Sequence, residues 1–124
     1  MVFNDFQTVI RLCSVDELSL RHTFQCGQCF RWLPDVDGSF YGVAFSHPAK
    51  LFTAEGDVYI LTTQADPLFW VKYFDLGRDY GAISAAFCRD AYTNAAVDFG
   101  RGLRILAQEP WEALCSFIIS QCNN

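Results

Sequence analysis

The feature that most constrains this chain is a change of hydrophobic period near Gln64. Before it, apolar residues tend to alternate with polar ones; after it, they recur every three or four positions. A period of two suits strands with one buried face, and a period near 3.6 suits amphipathic helices. Strand-forming sequence followed by helix-forming sequence argues against alternating βαβ units. It predicts an α+β domain whose first half is an antiparallel meander.

In the strand half, Gln7 to Cys13 places Thr8, Ile10 and Leu12 on one face. Leu18 to Phe24 reads as an extended or single-turn approach. Gln28 to Trp32 predicts a strand that carries Gln28, Phe30 and Trp32 on one side, which assigns Phe30 and Trp32 to the core. Asp37-Gly38 is a hairpin turn leading into Ser39 to Ala44, and Glu55-Gly56 joins Lys50 to Thr53 with Asp57 to Thr62.

In the helical half, Asp66 is an N-cap and Pro67 the first helical residue of a segment over Leu68 to Leu76, with Gly77 as its stop. Asp79 caps a segment striped by Tyr80, Ile83, Ser84 and Phe87. Tyr92, Ala95, Ala96 and Phe99 form the next stripe, ended by Gly100. Glu109-Pro110 opens a last helix with Glu112 in its first turn.

The chain has 124 residues, 52% of them apolar and 16% aromatic, which suffices for one packed core and argues against a disordered tail. No apolar run approaches a membrane span, and Met1-Val2-Phe3-Asn4-Asp5 lacks the build of a signal peptide. The expectation is an intracellular protein, with no membrane partner, whose six cysteines are reduced. A net charge of −5 with nine scattered Lys and Arg excludes a domain that grips phosphates unaided.

Cys26-Gly27-Gln28-Cys29 has the spacing of a redox pair or half a zinc site. Zinc needs four ligands, and His22 and His47 stand isolated. A redox CxxC opens a helix, whereas this one precedes a predicted strand. Two inert, core-lining thiols around a turn glycine are therefore expected. Lys50 and Lys72 read as surface residues, with Lys72 on the outer side of its helix. No nucleophile elbow or phosphate loop is present, so no catalytic residue, metal or cofactor is expected.

Three segments, in order and at matching spacing, resemble the 8-oxoguanine DNA glycosylases. Gly27-Gln28-Cys29-Phe30-Arg31-Trp32 is similar to the family's Gly-Gln-x-Phe-Arg-Trp segment, and Lys72-Tyr73-Phe74-Asp75-Leu76 to the Tyr-Phe-x-Leu segment of its first helix. Leu103 to Pro110, continuing through Ser116-Phe117-Ile118 to Asn123-Asn124, resembles the entry into the glycosylase core. The resemblance implies a twisted antiparallel sheet with helices on one face, similar to half of a TATA-binding protein. It places this domain in residues 1–108 and the first helix of a truncated glycosylase core in residues 109–124.

By resemblance, Gly27 binds substrate: its backbone carbonyl accepts a hydrogen bond from N7–H of the flipped lesion. Guanine carries an acceptor at N7 where 8-oxoguanine carries a hydrogen, so a fixed carbonyl favours the lesion. Cys122, Asn123 and Asn124 fall on the run that in the family enters the duplex and reads the opposite cytosine. Cys122 departs from the family's asparagine, and a thiol is a weak hydrogen-bond partner.

The family's lysine nucleophile and partner aspartate have no counterpart here. The implied partner is damaged double-stranded DNA, met through a longer protein, and the fragment alone is expected to be inactive. Its last helix, exposing Trp111, Leu114 or Ile118, would then support self-association. Two alternatives stand beside this reading. One is a non-enzymatic α+β module that binds a protein or nucleic acid. The other is a domain of an alkylated-base DNA glycosylase, for which a carbonyl aimed at N7–H has little use.

Overall fold

The computed structural model describes residues 8–121. The elements run β1 (Thr8–Ser14), α1 (Leu20–Phe24), β2 (Trp32–Pro34), β3 (Phe40–Ala44), β4 (His47–Ala54), β5 (Asp57–Thr62), α2 (Pro67–Tyr73), α3 (Tyr80–Phe87), α4 (Ala91–Phe99) and α5 (Pro110–Ser120). The strands form one five-stranded sheet in the order β1-β5-β4-β3-β2, with every pair antiparallel. Strands β2 to β5 are the meander that the alternation predicts, and β1 returns to the far edge beside β5.

The register explains the core. Ile10 faces Ile60, Ile60 faces Leu51, and Leu51 faces Phe40, so one apolar row crosses four strands. Leu51, Val58 and Ile60 are fully buried beneath Trp70 and Phe74 of the α2 region, with Leu20 and Phe24 of α1 alongside. Polar tips inside this core are paired. Trp32 Nε1 donates to the Tyr73 hydroxyl at 2.9 Å, and Trp70 Nε1 to the Gln64 carbonyl at 2.9 Å.

Strict alternation fails at one point in β1. A bulge between Arg11 and Cys13 inserts Leu12, so Leu12 and Cys13 both pack at the core despite being neighbours. Gln7, the start of the predicted strand, lies outside the described residues.

The period change is borne out, with corrections at its boundaries. Asp66 caps α2 as expected, its side chain accepting from Leu68 N at 3.0 Å, with Pro67 at the start. The helix ends at Tyr73, because Asp75 takes a left-handed φ of 52°; Gly77 is not the stop. Asp79 and Asp90 cap α3 and α4, the latter through a capping box with Thr93. The α3 and α4 stripes are not core, for Phe87, Tyr92 and Phe99 are exposed.

The predicted strand over Gln28 to Trp32 is absent. Backbone bends occupy most of Gln25 to Arg31, and pairing begins only at Trp32. Trp32 is buried, but Phe30 is 59% exposed, which overturns its assignment to the core. Alternation misleads here because Gly27 turns the chain at φ 86°, so no ladder holds the next residues in pleat.

Gly42, on β3, holds β2 close. A Cβ there would strike the Arg31 carbonyl and lie 2.7 Å from the Trp32 ring. Gly42→Ala is expected to cost about 1–3 kcal/mol by overpacking, read as a lower urea midpoint. An unchanged midpoint would contradict this packing.

Candidate functional site

The loop between α1 and β2 carries the candidate residues. Ser19 caps α1, with His22 N donating to its Oγ at 3.3 Å, and Gln25 closes the helix. Gly27 follows at φ 86°, exposed, with nothing within 4 Å of where a Cβ would stand. Glycine is therefore required by backbone conformation, since a non-glycine residue is strained there. Among the described residues none donates to the Gly27 carbonyl, which leaves it free to accept.

Behind Gly27 the loop is tied to the segment that leads into α5. Gln28 Nε2 donates to the carbonyls of Thr23 at 2.9 Å and Arg104 at 2.7 Å, while Gln28 Oε1 accepts from Leu106 N at 3.0 Å. Gln108 Nε2 donates to the Gln28 main-chain carbonyl at 2.7 Å. Arg31 adds a second tie, donating to the Phe45 carbonyl at 3.0 Å and pairing with Glu112 of α5 at 2.6 Å. That ion pair is partly solvated, so its position matters more than its energy.

Arg104 is the hub of that segment, a strap over residues 103–109, and is only 4% exposed. Its Nε donates to the Glu17 carbonyl at 2.8 Å, and one terminal nitrogen to those of Asp75 at 2.7 Å and Arg78 at 3.1 Å. The guanidinium lies 4.2 Å from the centre of the Tyr80 ring. The Tyr80 hydroxyl donates to Asp75 Oδ2 at 2.9 Å and accepts from Ile105 N at 3.1 Å. Burial raises the Tyr80 pKa above its ordinary value.

The two thiols of the CxxC segment differ. Cys29 is buried, and desolvation pushes its pKa from the ordinary 9.0 to about 11, with Cys26 adding to the rise. Cys26 is exposed, its Sγ 3.5 Å from the Thr23 carbonyl. The core-lining reading therefore holds for Cys29 and fails for Cys26. Among the described residues no three His, Cys, Asp or Glu side chains gather to hold a metal ion.

Maleimide in native conditions is expected to label Cys26 and Cys88, both exposed, well before buried Cys13 and Cys29, as read by peptide mass spectrometry. Equal labelling would contradict the burial. Cys13, like Cys29, is desolvated and raised to about 11. Folding thus holds both protons more tightly, a stabilisation present below pH 9 and lost as pH rises towards 11.

Of the residues read from the sequence, Gly27 lies on an open loop, and Cys122, Asn123 and Asn124 lie outside the described residues. The roles of Gln28 and Arg104 were not foreseen. Arg104 alone carries a charge inside the run Leu103-Arg104-Ile105-Leu106, which is the signal of a buried cation held by polar partners. A cleft of about 810 Å³ opens between α3, α4 and the strap, lined by Asp79, Tyr80, Ser84, Asp98 and Arg101, away from Gly27. Arg101 pairs locally with Asp98 at 3.1 Å. No helix among the described residues is long and apolar enough to cross a membrane.

Comparison with known proteins agrees with this geometry. The N-glycosylase/DNA lyase of Saccharomyces cerevisiae is 30% identical over 125 residues, covering 87% of this chain and 33% of that protein. The 8-oxoguanine glycosylase/lyase of Clostridium acetobutylicum, solved in its apo form, superposes at a TM-score of 0.82 with 38% identity, over 97% of this chain and 45% of that one. The same enzyme, solved with double-stranded DNA containing cytosine opposite 8-oxoguanine, matches at 0.82 and 40% identity, over 97% and 44%. This chain thus spans a third to under half the length of these relatives. A family model described as the N-terminal domain of 8-oxoguanine DNA glycosylase matches residues 10–114. With the five-stranded sheet and the Gly27 loop in place, the chain belongs to the 8-oxoguanine DNA glycosylase N-terminal domain family.

Proposed function

We propose that this domain serves a DNA glycosylase/lyase that excises 8-oxoguanine inside the cell, and that Gly27 is its contact with the lesion. The observation that carries the reading is Gly27 itself: an exposed residue in a left-handed turn, whose carbonyl no described donor claims. A carbonyl in that state accepts N7–H of 8-oxoguanine and repels the N7 lone pair of guanine. The base must be flipped from the duplex to reach it.

The chemistry is assigned to the further length that the relatives possess. There a lysine amine would attack C1′ of the flipped nucleotide, release the base and form a Schiff base. Residues 109–124, beginning with α5, would form the first helix of that catalytic part, and Cys122, Asn123 and Asn124 would meet the opposite strand. Cys122 weakens the preference for an opposite cytosine.

The test is a domain exchange. This chain, joined to the remaining part of the Clostridium acetobutylicum enzyme, is expected to cut duplexes that contain 8-oxoguanine, while this chain alone forms no borohydride-trapped adduct. A trapped adduct on the isolated chain, or an exchanged enzyme that folds yet ignores the lesion, would overturn the proposal. In isolation, α5 exposes Trp111, Leu114 and Ile118, and these faces are expected to pair two copies. Sedimentation should show mass rising with concentration; a monomer throughout would refute the pairing.

A further inference from the structure

Among the described residues Gly27 makes no hydrogen bond of its own that would aim its carbonyl, and a Cβ at that position would meet nothing within 4 Å. A left-handed glycine in open space is free to wander, because glycine crosses φ space more readily than any other residue. The restraint comes from the next residue. The peptide plane that carries the Gly27 carbonyl ends at the Gln28 nitrogen, so fixing Gln28 leaves only the two torsions flanking that plane.

Gln28 is fixed at every polar atom beyond that nitrogen. Both protons of its side-chain amide are taken, by Thr23 O at the end of α1 and by Arg104 O on the strap. Its Oε1 takes Leu106 N, and its main-chain carbonyl takes Gln108 Nε2. The amide orientation is unambiguous, since Nε2 faces two carbonyls and Oε1 faces an N–H. The side chain thus stands in for a strand between the α1 end and the strap, two segments separated by about eighty residues of sequence.

We infer that Gln28 is a positioning residue for lesion recognition, its side-chain amide aiming the Gly27 carbonyl by locking the loop to the strap that enters α5. The inference rests on the reading of Gly27 given above and adds to it the part that makes the carbonyl rigid. Rigidity matters because a carbonyl free to rotate can turn away from guanine N7 and so ceases to discriminate.

Two measurements test it. In this chain, NMR couplings across hydrogen bonds should link the Gln28 side-chain amide to the carbonyl carbons of Thr23 and Arg104; their absence would overturn the inference outright. In Gln28→Met, which keeps the shape and removes all three side-chain bonds, the backbone order parameter at residue 28 should fall from about 0.85 to below 0.6. The amides of β4 and β5 should be unchanged, and an undiminished order parameter in a folded variant would also overturn it.

A third readout separates positioning from mere bracing. In the domain-exchanged enzyme, Gln28→Met should lower the ratio of 8-oxoguanine to guanine affinity roughly tenfold, the scale of one aimed hydrogen bond. That ratio does not depend on how much protein is folded, so a purely structural role would leave it unmoved and sink the inference. An exchanged enzyme with no preference for the lesion before any substitution would instead refute the Gly27 reading.

Discussion

Gly27→Ala, placed in the domain-exchanged enzyme, is expected to lower the preference for 8-oxoguanine over guanine by roughly tenfold or more, about 1–3 kcal/mol. The cause is the backbone and not the methyl group. The site has room for a Cβ, but the φ of 86° is one that L-residues rarely hold. Alanine should therefore relax the turn, and the carbonyl moves with it. The loss should appear in lesion affinity while affinity for undamaged duplex changes little. Equal loss on both duplexes would point to a damaged fold and not to a lost lesion contact.

Arg104→Ala should produce the largest loss of stability, about 3–5 kcal/mol. Three carbonyls, those of Glu17, Asp75 and Arg78, would lose their donor at once. Each such loss is worth about 1 kcal/mol or more when the acceptor is shielded from water. The buried stem adds a cavity, and Tyr80 loses the cation over its ring. Arg104→Lys keeps the charge, but a single ammonium cannot span carbonyls from Glu17 and from the Asp75–Arg78 turn, so it should rescue only part. Denaturant midpoints of the isolated chain give the answer, and a shift below about 1 kcal/mol for Arg104→Ala would show that the hub is dispensable.

The two predictions connect the fold to its proposed task. Arg104 holds the strap against the β1–α1 turn and the α2–α3 turn, and that strap supplies the carbonyl and N–H that anchor Gln28. Loss of the hub should therefore reach Gly27 as well, as faster amide exchange at Leu106 and Ala107, whose N–H groups bond Gln28 Oε1 and the Tyr73 carbonyl, before the sheet unfolds.

The sheet was legible because its constraints are local. Turn pairs such as Asp37-Gly38 and Glu55-Gly56 bracket strands whose alternation matches the observed register. Caps written as Asp66-Pro67 and Asp79 mark helix starts for the same reason. Burial was less legible, because it depends on what lies opposite. The stripes on α3 and α4 have the spacing of core helices, yet Tyr92 and Phe99 face outwards. Phe30 failed for a related reason: side-chain and strap bonds, not a strand ladder, hold its loop.

The candidate site was legible only in part. Gly27 could be named from its motif, since turn chemistry and the family segment both single out glycine. Gln28 and Arg104 act over more than seventy residues of separation, and no local pattern announces such pairs. Cys26 and Cys29 show the limit of spacing alone, because two identical residues three apart have opposite exposures.

The most direct test of the Gly27 carbonyl compares three duplexes bound by the domain-exchanged enzyme. Their target nucleotides carry 8-oxoguanine, guanine or 7-deazaguanine on a 2′-fluoro sugar, which resists base release. 8-Oxoguanine offers N7–H to the carbonyl, guanine opposes it with a lone pair, and 7-deazaguanine does neither strongly. The predicted order of affinity is 8-oxoguanine first, 7-deazaguanine second and guanine last, with the differences reduced in Gly27→Ala. Equal affinity for guanine and 7-deazaguanine, unchanged by that substitution, would contradict a carbonyl that reads N7.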